Sequence, residues 1–305
     1  MINQQQLSKF ENLELLAQQV VEGFITGLHK SPFHGFSVEF SEHRLYNKGE
    51  STRHIDWKLY ARSDKLFVKR FEEETNLRCR IIIDKSSSMY FPNPESSFEN
   101  PNKIMFSVLC AAALMNILKK QRDAVGLSLF SDIVHLHTRE KTSQTHHRFL
   151  LHQLEKIVAK HESLQSSRVT ESLHQIADNI HQRSLVVLFS DMMDNSEKSD
   201  DLFSALQHLK FNKHEVILFH VVDKSKELIF DYENRPYKFV DMETNEEVKL
   251  SPNQIREQFT KASEQFLNSL KLKCAQYQID FVKVDINKGV EHVLLNFFKK
   301  RSKLK

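Results

Sequence analysis

The chain has 305 residues, 40% of them hydrophobic and 27% charged, and this composition is typical of a folded globular protein rather than of a disordered or fibrous one. Its formal net charge of +3 is too small to indicate nucleic-acid binding by itself. With only 6 glycines, the chain contains neither G-x-G-x-x-G nor G-x-x-x-x-G-K-[ST], which disfavours an enzyme that binds nucleotides through a glycine-rich loop.

The N-terminal part of the chain is predicted to form a helix followed by a small β-rich subdomain. Apolar residues recur at helical spacing over residues 7–28, which indicates an amphipathic helix. Residues 34–74 instead contain short alternating apolar and polar runs, with a turn at Asn47-Lys48-Gly49, which is typical of short β-strands. We therefore group residues 1–76 as one N-terminal subdomain.

From residue 77 to residue 305 the pattern predicts an α/β domain. Strands and helices alternate, which indicates a mostly parallel, Rossmann-like sheet with helices on both faces. The predicted strands are 79–83, 124–130, 133–137 (antiparallel), 185–189, 215–222 and 279–284. The predicted helices are 103–119, 145–160, 171–181, 200–209, 252–274 and 290–300. A polar stretch at about 223–250 is predicted to be a β-hairpin insertion at the surface.

Cysteine usage and the N-terminus favour a cytoplasmic protein. Cys79, Cys110 and Cys274 are odd in number and have no C-x-x-C spacing, so we expect reduced thiols rather than disulfides or zinc ligands. No apolar run approaches the roughly 18 residues that cross a bilayer, and the N-terminus lacks the basic and apolar parts of a signal peptide. We expect a cytoplasmic location and no membrane span.

Polar side chains follow the first predicted strand of this domain. Asp84, Ser86 and Ser88 alternate just past that strand, and ligands of open α/β sheets bind at the carboxyl ends of strands. An extended loop would present the carboxylate and both hydroxyls to one point, and such an oxygen-rich set with little charge suits Mg²⁺. The alternative is that these side chains only form an Asx or Ser turn that caps the next helix.

Two further segments strengthen the metal hypothesis. Ser190-Asp191 directly follows the predicted strand 185–189, and Thr170 opens a helix, where its hydroxyl either caps the helix or points at the ion. A D-x-S-x-S triplet alone is a weak signal, but a second strand-end acid makes chance less plausible. The predicted metal ligands are Asp84, Ser86, Ser88, Thr170 and Asp191, with Mg²⁺, or else Mn²⁺ or Ca²⁺, as the expected ion.

These five residues resemble the metal-ion-dependent adhesion site (MIDAS) of the von Willebrand factor type A fold. The resemblance implies that Ser86 and Ser88 contact the ion directly and that the other three do so directly or through water. It also implies that a carboxylate from a partner protein completes the coordination shell. The fold class expected from it is a von Willebrand factor A-like domain.

The upstream segment resembles the hallmark of the bacterial domain of unknown function 58 (DUF58) family, in which the same metal loop follows. The matching stretches are GFSVEF at 35–40, RLY at 44–46, GE at 49–50, RHIDW at 53–57, AR at 61–62 and VKRFE at 68–72. Members typically accompany MoxR-type AAA+ ATPases, so the resemblance implies such an ATPase as a partner. Many relatives also carry N-terminal membrane helices, which this sequence does not show.

The charged hallmark has two interpretations. It is either a docking surface for a partner or a structural clamp, in which paired ions join the β-rich subdomain to the α/β domain. The ions of the clamp would be Arg53, Asp56, Arg62 and Glu72. We favour the clamp, with Trp57 packed beneath it, because a lone Trp among alternating apolar residues is usually buried.

We therefore expect a non-enzymatic, metal-dependent protein-interaction module that serves an AAA+ ATPase in complex assembly or remodelling. The alternative is a Mg²⁺-dependent phosphohydrolase or phosphotransferase with Asp84 as nucleophile. Against it, Ser86 occupies the position where such a phosphatase normally has a second carboxylate, and no Lys or Arg is placed by a motif to hold a phosphate. A purely structural domain without metal is a further possibility. No nucleic-acid-recognition motif is present.

Overall fold

The computed structural model describes residues 40–47, 55–71, 77–93, 100–159, 169–193, 199–211, 213–242 and 246–303, together with residues 13, 17, 52, 96 and 97. The chain divides into two compact units. The larger contains Met1–Pro32 and Arg78–Lys305, and the smaller is Phe33–Leu77. Leu13 and Ala17 are helical and buried, as the helix predicted over residues 7–28 requires at these two positions. They belong to the larger unit, whereas the sequence had grouped them with the β-rich segment.

The smaller unit is a two-stranded antiparallel sheet with one short helix. Strand β1 (Phe40–Leu45) pairs with β2 (Phe67–Phe71), so β-structure within residues 34–74 is confirmed. The helix α1 (Trp57–Ser63) lies between them in the chain and was not predicted. It begins because Oδ1 of Asp56 accepts hydrogen bonds from the backbone N–H groups of Lys58 at 3.0 Å and Leu59 at 3.1 Å, as a helix N-cap does.

The larger unit is built on a six-stranded sheet. Its strands run in the spatial order β10-β7-β6-β3-β4-β5, and all neighbours are parallel except β4 and β5. Successive residues of a strand point to opposite faces, and those of β4 and β6 are all buried, so both faces of the sheet are covered. The strands are β3 (Arg78–Asp84), β4 (Ala124–Phe130), β5 (Val134–His137), β6 (Leu185–Ser190), β7 (Glu215–Val222) and β10 (Asp280–Asp285).

Six helices of the described residues cover this sheet. They are α2 (Lys103–Lys120), α3 (Gln144–Ala159), α4 (Val169–Asp178), α5 (Ser199–Phe211), α6 (Pro252–Gln276) and α7 (Val290–Lys303). Helix α2 packs against α3 and α7, and α4 packs against α5. Every residue of α2 from Lys103 to Leu118 is buried, since its sequence is apolar on all sides after the first turn. The helix begins where the Asn102 side chain accepts a 2.9 Å hydrogen bond from the backbone of Met105.

The insertion after β7 contains the predicted hairpin. A short π-helical turn (Lys224–Leu228) comes first, and β8 (Tyr237–Val240) then pairs antiparallel with β9 (Glu247–Leu250). An α/β fold with a mostly parallel sheet is thus confirmed, as is the antiparallel pairing of β5. The helix predicted over residues 171–181 begins two residues earlier and ends at Asp178. All three cysteines are buried and no disulfide joins any two of them, in agreement with reduced thiols.

Candidate functional site

The candidate site lies where the order of strands reverses. After β3, the chain adds β4 on one side, and β6 returns later to the other side of β3. Because β3 and β6 are parallel, their carboxyl ends meet at the same edge of the sheet. Crevices at such a reversal are where open α/β sheets bind their ligands. Asp84 is the last residue of β3 and Ser190 the last of β6.

The loop after β3 turns its polar side chains together. Oδ1 of Asp84 accepts a 2.9 Å hydrogen bond from the backbone N–H of Ser86, and the hydroxyl oxygens of Ser86 and Ser88 lie 3.1 Å apart. A short 3₁₀ helix, Ser87–Tyr90, then carries the chain away. The Asx turn considered as the alternative to a metal site is therefore present, and it also places the Ser86 hydroxyl against the Asp84 carboxylate and beside the hydroxyl of Ser88.

The loop after β6 completes the cluster. The hydroxyl of Ser190 donates a 2.7 Å hydrogen bond to Oδ2 of Asp84 and accepts one of 2.8 Å from the backbone of Met192. Oδ1 of Asp191 accepts from the backbone of Met193 at 3.1 Å, and the side chain of Ser88 also bonds to Asp191. Four of the five predicted ligands thus come together: Asp84, Ser86, Ser88 and Asp191.

Thr170, the fifth predicted ligand, is the second residue of α4 and is partly buried. Its place in a ligand set stays a prediction. Ser190, in contrast, is a member of the cluster that the predicted set omitted. The sequence signal for it was its position directly before Asp191, at the end of a buried strand.

A fully buried lysine lies beside the cluster, and sequence reasoning missed it. Nζ of Lys103, the first residue of α2, lies 2.7 Å from Oδ2 of Asp191 and 2.5 Å from Oε1 of Glu227. The side chain of Lys103 has no exposed surface, and that of Glu227 is 11% exposed. A buried charge needs partners of opposite charge, and this ammonium has two.

Glu227 connects the cluster to the insertion after β7. It belongs to the π-helical turn Lys224–Leu228, and its second carboxylate oxygen accepts a 2.7 Å hydrogen bond from the backbone of Asp223. Oδ1 of Asp223 in turn accepts from the backbone of Ser225 at 3.0 Å and from Nδ2 of Asn287 at 2.9 Å. The turn that carries Glu227 is therefore anchored at both the end of β7 and the end of β10.

The carboxylates of the cluster carry more negative charge than the Lys103 ammonium can balance. Burial, and then the neighbouring carboxylate of Asp191, raise the pKa of Asp84 to about 7. Burial acts in the same direction on Asp191, but the charge of Lys103 together with the hydrogen bonds to this carboxylate outweighs it and holds its pKa below the ordinary value. The pKa of Glu227 is raised, again chiefly by burial. His220, which is buried at the end of β7, has its pKa lowered to about 4 by burial and is therefore neutral.

The residues present fit a hard divalent cation. Their donors are carboxylate and hydroxyl oxygens, which Mg²⁺ prefers. When Asp84, Asp191, Glu227 and Lys103 are all ionised, two negative charges are left unbalanced among them, and one divalent ion would balance these. No three His, Cys, Asp or Glu side chains in the described part of the chain group as a complete ligand set. An ion here would therefore depend on the serine hydroxyls and on oxygens from water or another molecule.

The hallmark segment corrects one expectation. Trp57, predicted to be packed in a core, is the first residue of α1 and is 60% exposed, with its ring edge-on to Tyr60 at 6.2 Å between centroids. Asp56 is the N-cap of α1, so its carboxylate serves the helix backbone. Arg53 and Glu72, two members of the predicted clamp, lie outside the described residues, so the clamp stays a prediction.

None of the helices in the described residues is both long enough and apolar enough to cross a membrane.

Comparison with known proteins gives a family and no activity. A family model described as a protein of unknown function, DUF58, matches residues 42–266. Uncharacterized proteins of Mycobacterium bovis and Mycobacterium tuberculosis are 32% identical over 79 residues, which are 26% of this chain and 25% of each relative. The match thus spans about a quarter of the length of these curated relatives.

Two solved structures show a weak likeness. A conserved hypothetical protein BatB from Bacteroides thetaiotaomicron is 11% identical with a TM-score of 0.42, over 74% of this chain and 99% of that one. An aerotolerance-related membrane protein from Bacteroides fragilis is 11% identical with a TM-score of 0.43, over 73% of this chain and 99% of that one. Scores this low do not bear on function.

Proposed function

The chain belongs to the DUF58 family of proteins of unknown function, and we propose that it is a metal-dependent protein-interaction module rather than an enzyme. The ion, Mg²⁺ or alternatively Mn²⁺ or Ca²⁺, would be held at the ends of β3 and β6 by Asp84, Ser86, Ser88 and Asp191, with Thr170 as a further ligand. This arrangement would be a MIDAS on a von Willebrand factor A-like domain.

One observation supports this proposal above the others. Side chains from two loops far apart in sequence converge at the strand reversal, and they are the buried carboxylates and hydroxyls that a hard cation requires. A turn that served only as a helix cap would use Asp84 and the serines, but it would not require Asp191 or Ser190 from the second loop. A buried pair of acids is costly without a positive charge between them, and a divalent ion supplies that charge.

The burial of the individual ligands indicates how a partner would approach. Asp84 and Asp191 have no exposed surface, whereas Ser88 is half-buried. The side of the site that faces solvent is therefore the Ser88 side. When bound, the ion supplies positive charge and an open coordination position there for an oxygen from outside. A carboxylate of a partner protein is the ligand that suits both, so we propose an acidic residue as the recognised group.

For the partner, we propose a MoxR-type AAA+ ATPase, with the chain acting as its adaptor in the assembly or remodelling of complexes. This part of the proposal rests on the family resemblance of the hallmark residues 35–72. The cytoplasmic location stays a prediction from the sequence.

The first experiment tests the ion alone. We expect titration calorimetry to show saturable Mg²⁺ or Mn²⁺ binding by the metal-free protein, and Asp84→Asn to weaken it at least about tenfold, because even residues that only support metal ligands are worth 10–100-fold. Asp201→Asn, at an exposed position on α5, is the matched control and should bind like the wild type. Equal heats from all three proteins would rule out this site.

The second experiment tests the partner. Wild type and Asp84→Asn are immobilised and offered the purified MoxR-type AAA+ ATPase of the same organism, both in the same Mg²⁺ buffer. Comparing variants, rather than adding a chelator, keeps the ATPase's own Mg²⁺ constant. We expect the wild type to retain more ATPase than the variant. Equal retention would contradict metal-dependent capture.

Lys103 gives the phosphohydrolase alternative an observation it lacked in the sequence, because it places a cation at Asp191, in the same cluster as the predicted nucleophile Asp84. Both hydrogen bonds of its ammonium are to carboxylates, however, and both oxygens of Asp84 already accept hydrogen bonds. We therefore keep the interaction module as the proposed function. Turnover of p-nitrophenyl phosphate that is lost in Asp84→Asn would favour the enzyme instead.

A further inference from the structure

The contacts of Lys103 suggest a role beyond neutralising one acid. Its Nζ binds the Asp191 oxygen Oδ2 at 2.7 Å, while the other oxygen of Asp191 accepts from the backbone of Met193. A metal ion that used Asp191 as a ligand would have to share this carboxylate with the ammonium. Two cations that bind the same carboxylate repel each other, so each weakens the binding of the other.

Glu227 controls how strongly the ammonium is held at Asp191. Nζ lies 2.5 Å from Glu227 and 2.7 Å from Asp191, so the lysine charge is divided between two carboxylates. If the charge of Glu227 were removed, Asp191 would be the one carboxylate of this pair that still attracts the ammonium as an ion. Since the residues of α2 from Lys103 to Leu118 are all buried, the helix backbone is held in place, and only the side chain of Lys103 can shift between the two carboxylates.

We propose that Lys103 is a built-in competitor cation for the metal site, and that Glu227 tunes the site's metal affinity by drawing the ammonium away from Asp191. This inference rests on the proposed function, since it concerns the same ion. It adds two positioning residues that the predicted ligand set does not contain. It also makes the site's affinity depend on the turn Lys224–Leu228, which begins the insertion carrying β8 and β9.

The test uses two variants that should act in opposite directions. Lys103→Met removes the competing ammonium and should tighten Mg²⁺ or Mn²⁺ binding about tenfold or more. The reason is that the repulsion between two cations this close together weakens metal binding strongly. Glu227→Gln should weaken it several-fold, because the ammonium then stays on Asp191. A purely structural role would make both variants weaker or leave both unchanged.

A matched control and a double variant separate this role from general electrostatics. Lys226→Met also removes one positive charge next to Glu227, but its Nζ lies on the backbone oxygen of Asp231 and over the ring of Tyr232, so binding should stay as in the wild type. If Glu227 acts through Lys103, Glu227→Gln should have little effect in the Lys103→Met background. An undiminished effect there would overturn the inference.

The remaining outcomes are also informative. Lys103→Met removes the positive charge that balances three buried acids, so this variant could fail to fold. In that case the comparison of Glu227→Gln with Lys226→Met still tests the inference. The inference requires weaker metal binding in Glu227→Gln and unchanged binding in Lys226→Met. Metal binding by the wild type without these shifts would overturn the inference and leave the proposed function standing. No metal binding by any of the proteins would overturn both.

Discussion

Ser190 donates a 2.7 Å hydrogen bond from its hydroxyl to Oδ2 of Asp84, a residue 106 positions earlier in the chain. The bond joins the ends of two adjacent strands, and both residues are fully buried. Together with the backbone N–H of Ser86, it fixes both oxygens of the Asp84 carboxylate. The carboxylate therefore has a defined orientation before any ion binds.

The first prediction concerns stability at this carboxylate. Asp84 is buried near Asp191, so in a chelating buffer Asp84→Asn should unfold at the same temperature as the wild type or at a higher one, because one buried charge is gone. Adding Mg²⁺ should stabilise the wild type by about 2.7 kcal/mol at a concentration one hundred times its dissociation constant, and the variant, which binds at least about tenfold more weakly, by about 1.4 kcal/mol or less. Thermal unfolding with and without Mg²⁺ measures both effects. Equal Mg²⁺ shifts in the two proteins would contradict the prediction.

Acid sensitivity is expected at His137. Burial, and then the charge of Arg80, lower the pKa of this half-buried histidine to about 4 from the ordinary 6.5. Between these two values the unfolded chain binds a proton that the folded protein does not, so the free energy of unfolding falls as the pH falls through this range. His137→Gln, which can still bond to Ser128, should show a weaker dependence. Urea denaturation at about pH 7 and about pH 5 compares the two, and parallel losses would argue against this assignment.

A steric prediction concerns Gly126 on β4. A Cβ atom there would lie 2.9 Å from Cζ of the buried Arg80, whose guanidinium is held by Glu140 and the backbone oxygen of Thr138. Gly126→Ala should therefore cost about 1–3 kcal/mol of unfolding free energy, the usual effect of overpacking. Chemical denaturation measures this loss.

Gly289 supplies the control for that substitution. Its φ of +76° and ψ of 148° form a backbone conformation nearly restricted to glycine, and nothing lies within 4 Å of its would-be Cβ, so Gly289→Ala should cost about 1–3 kcal/mol through backbone strain alone. In an Arg80→Met background, the loss of unfolding free energy caused by Gly126→Ala should be smaller, while the loss caused by Gly289→Ala should be unchanged. Unchanged costs for both would show that Arg80 is not what Gly126 accommodates.

The N-cap of α1 gives a prediction for the smaller unit. Asp56→Ala removes the acceptor for the N–H groups of Lys58 and Leu59, which should destabilise the helix by about 1 kcal/mol. Hydrogen exchange of residues 57–63 should become faster, while residues 103–120 stay protected. Asp56→Asn, which can still cap, should behave nearly as the wild type does. Unaltered exchange in Asp56→Ala would mean that the cap does not hold this helix.

The strands of the central sheet and most of its helices could be predicted because each is encoded by a pattern of neighbouring residues. Long apolar runs gave the strands of the central sheet, and helical periodicity gave α2, α3, α6 and α7 nearly to their ends. Helix α1 was missed, although Asp56 is a good N-cap residue, because seven residues are too few to show a period. Trp57 was predicted to be buried because it is a lone Trp among alternating apolar residues, but as the first residue of α1 it is 60% exposed.

The site was predictable only as far as its strand-end positions. Asp84 and Asp191 follow buried strands, and parallel pairing is enough to bring such residues together. Glu227 lies in a polar stretch where nothing in the sequence indicates burial. The sequence contained one indication of the role of Lys103, its position in the first turn of a predicted helix, which the prediction did not use. A cation in the first turn of a helix opposes the helix dipole, and a lysine in that position calls for a nearby acid.

The order of the strands has a consequence for how the chain is made. Strand β3 pairs with β6, yet 106 residues separate Asp84 from Ser190, so translation at 5–20 residues per second leaves this edge of β3 without its neighbour for about 5–20 s. During that interval an apolar edge centred on Ile81, Ile82 and Ile83 is open to pairing with other nascent chains. The proposed ion cannot help at this stage, because its predicted ligand Asp191 has not yet been synthesised. Protection of the emerging chain therefore falls to chaperones or to rapid packing of α2 against the sheet.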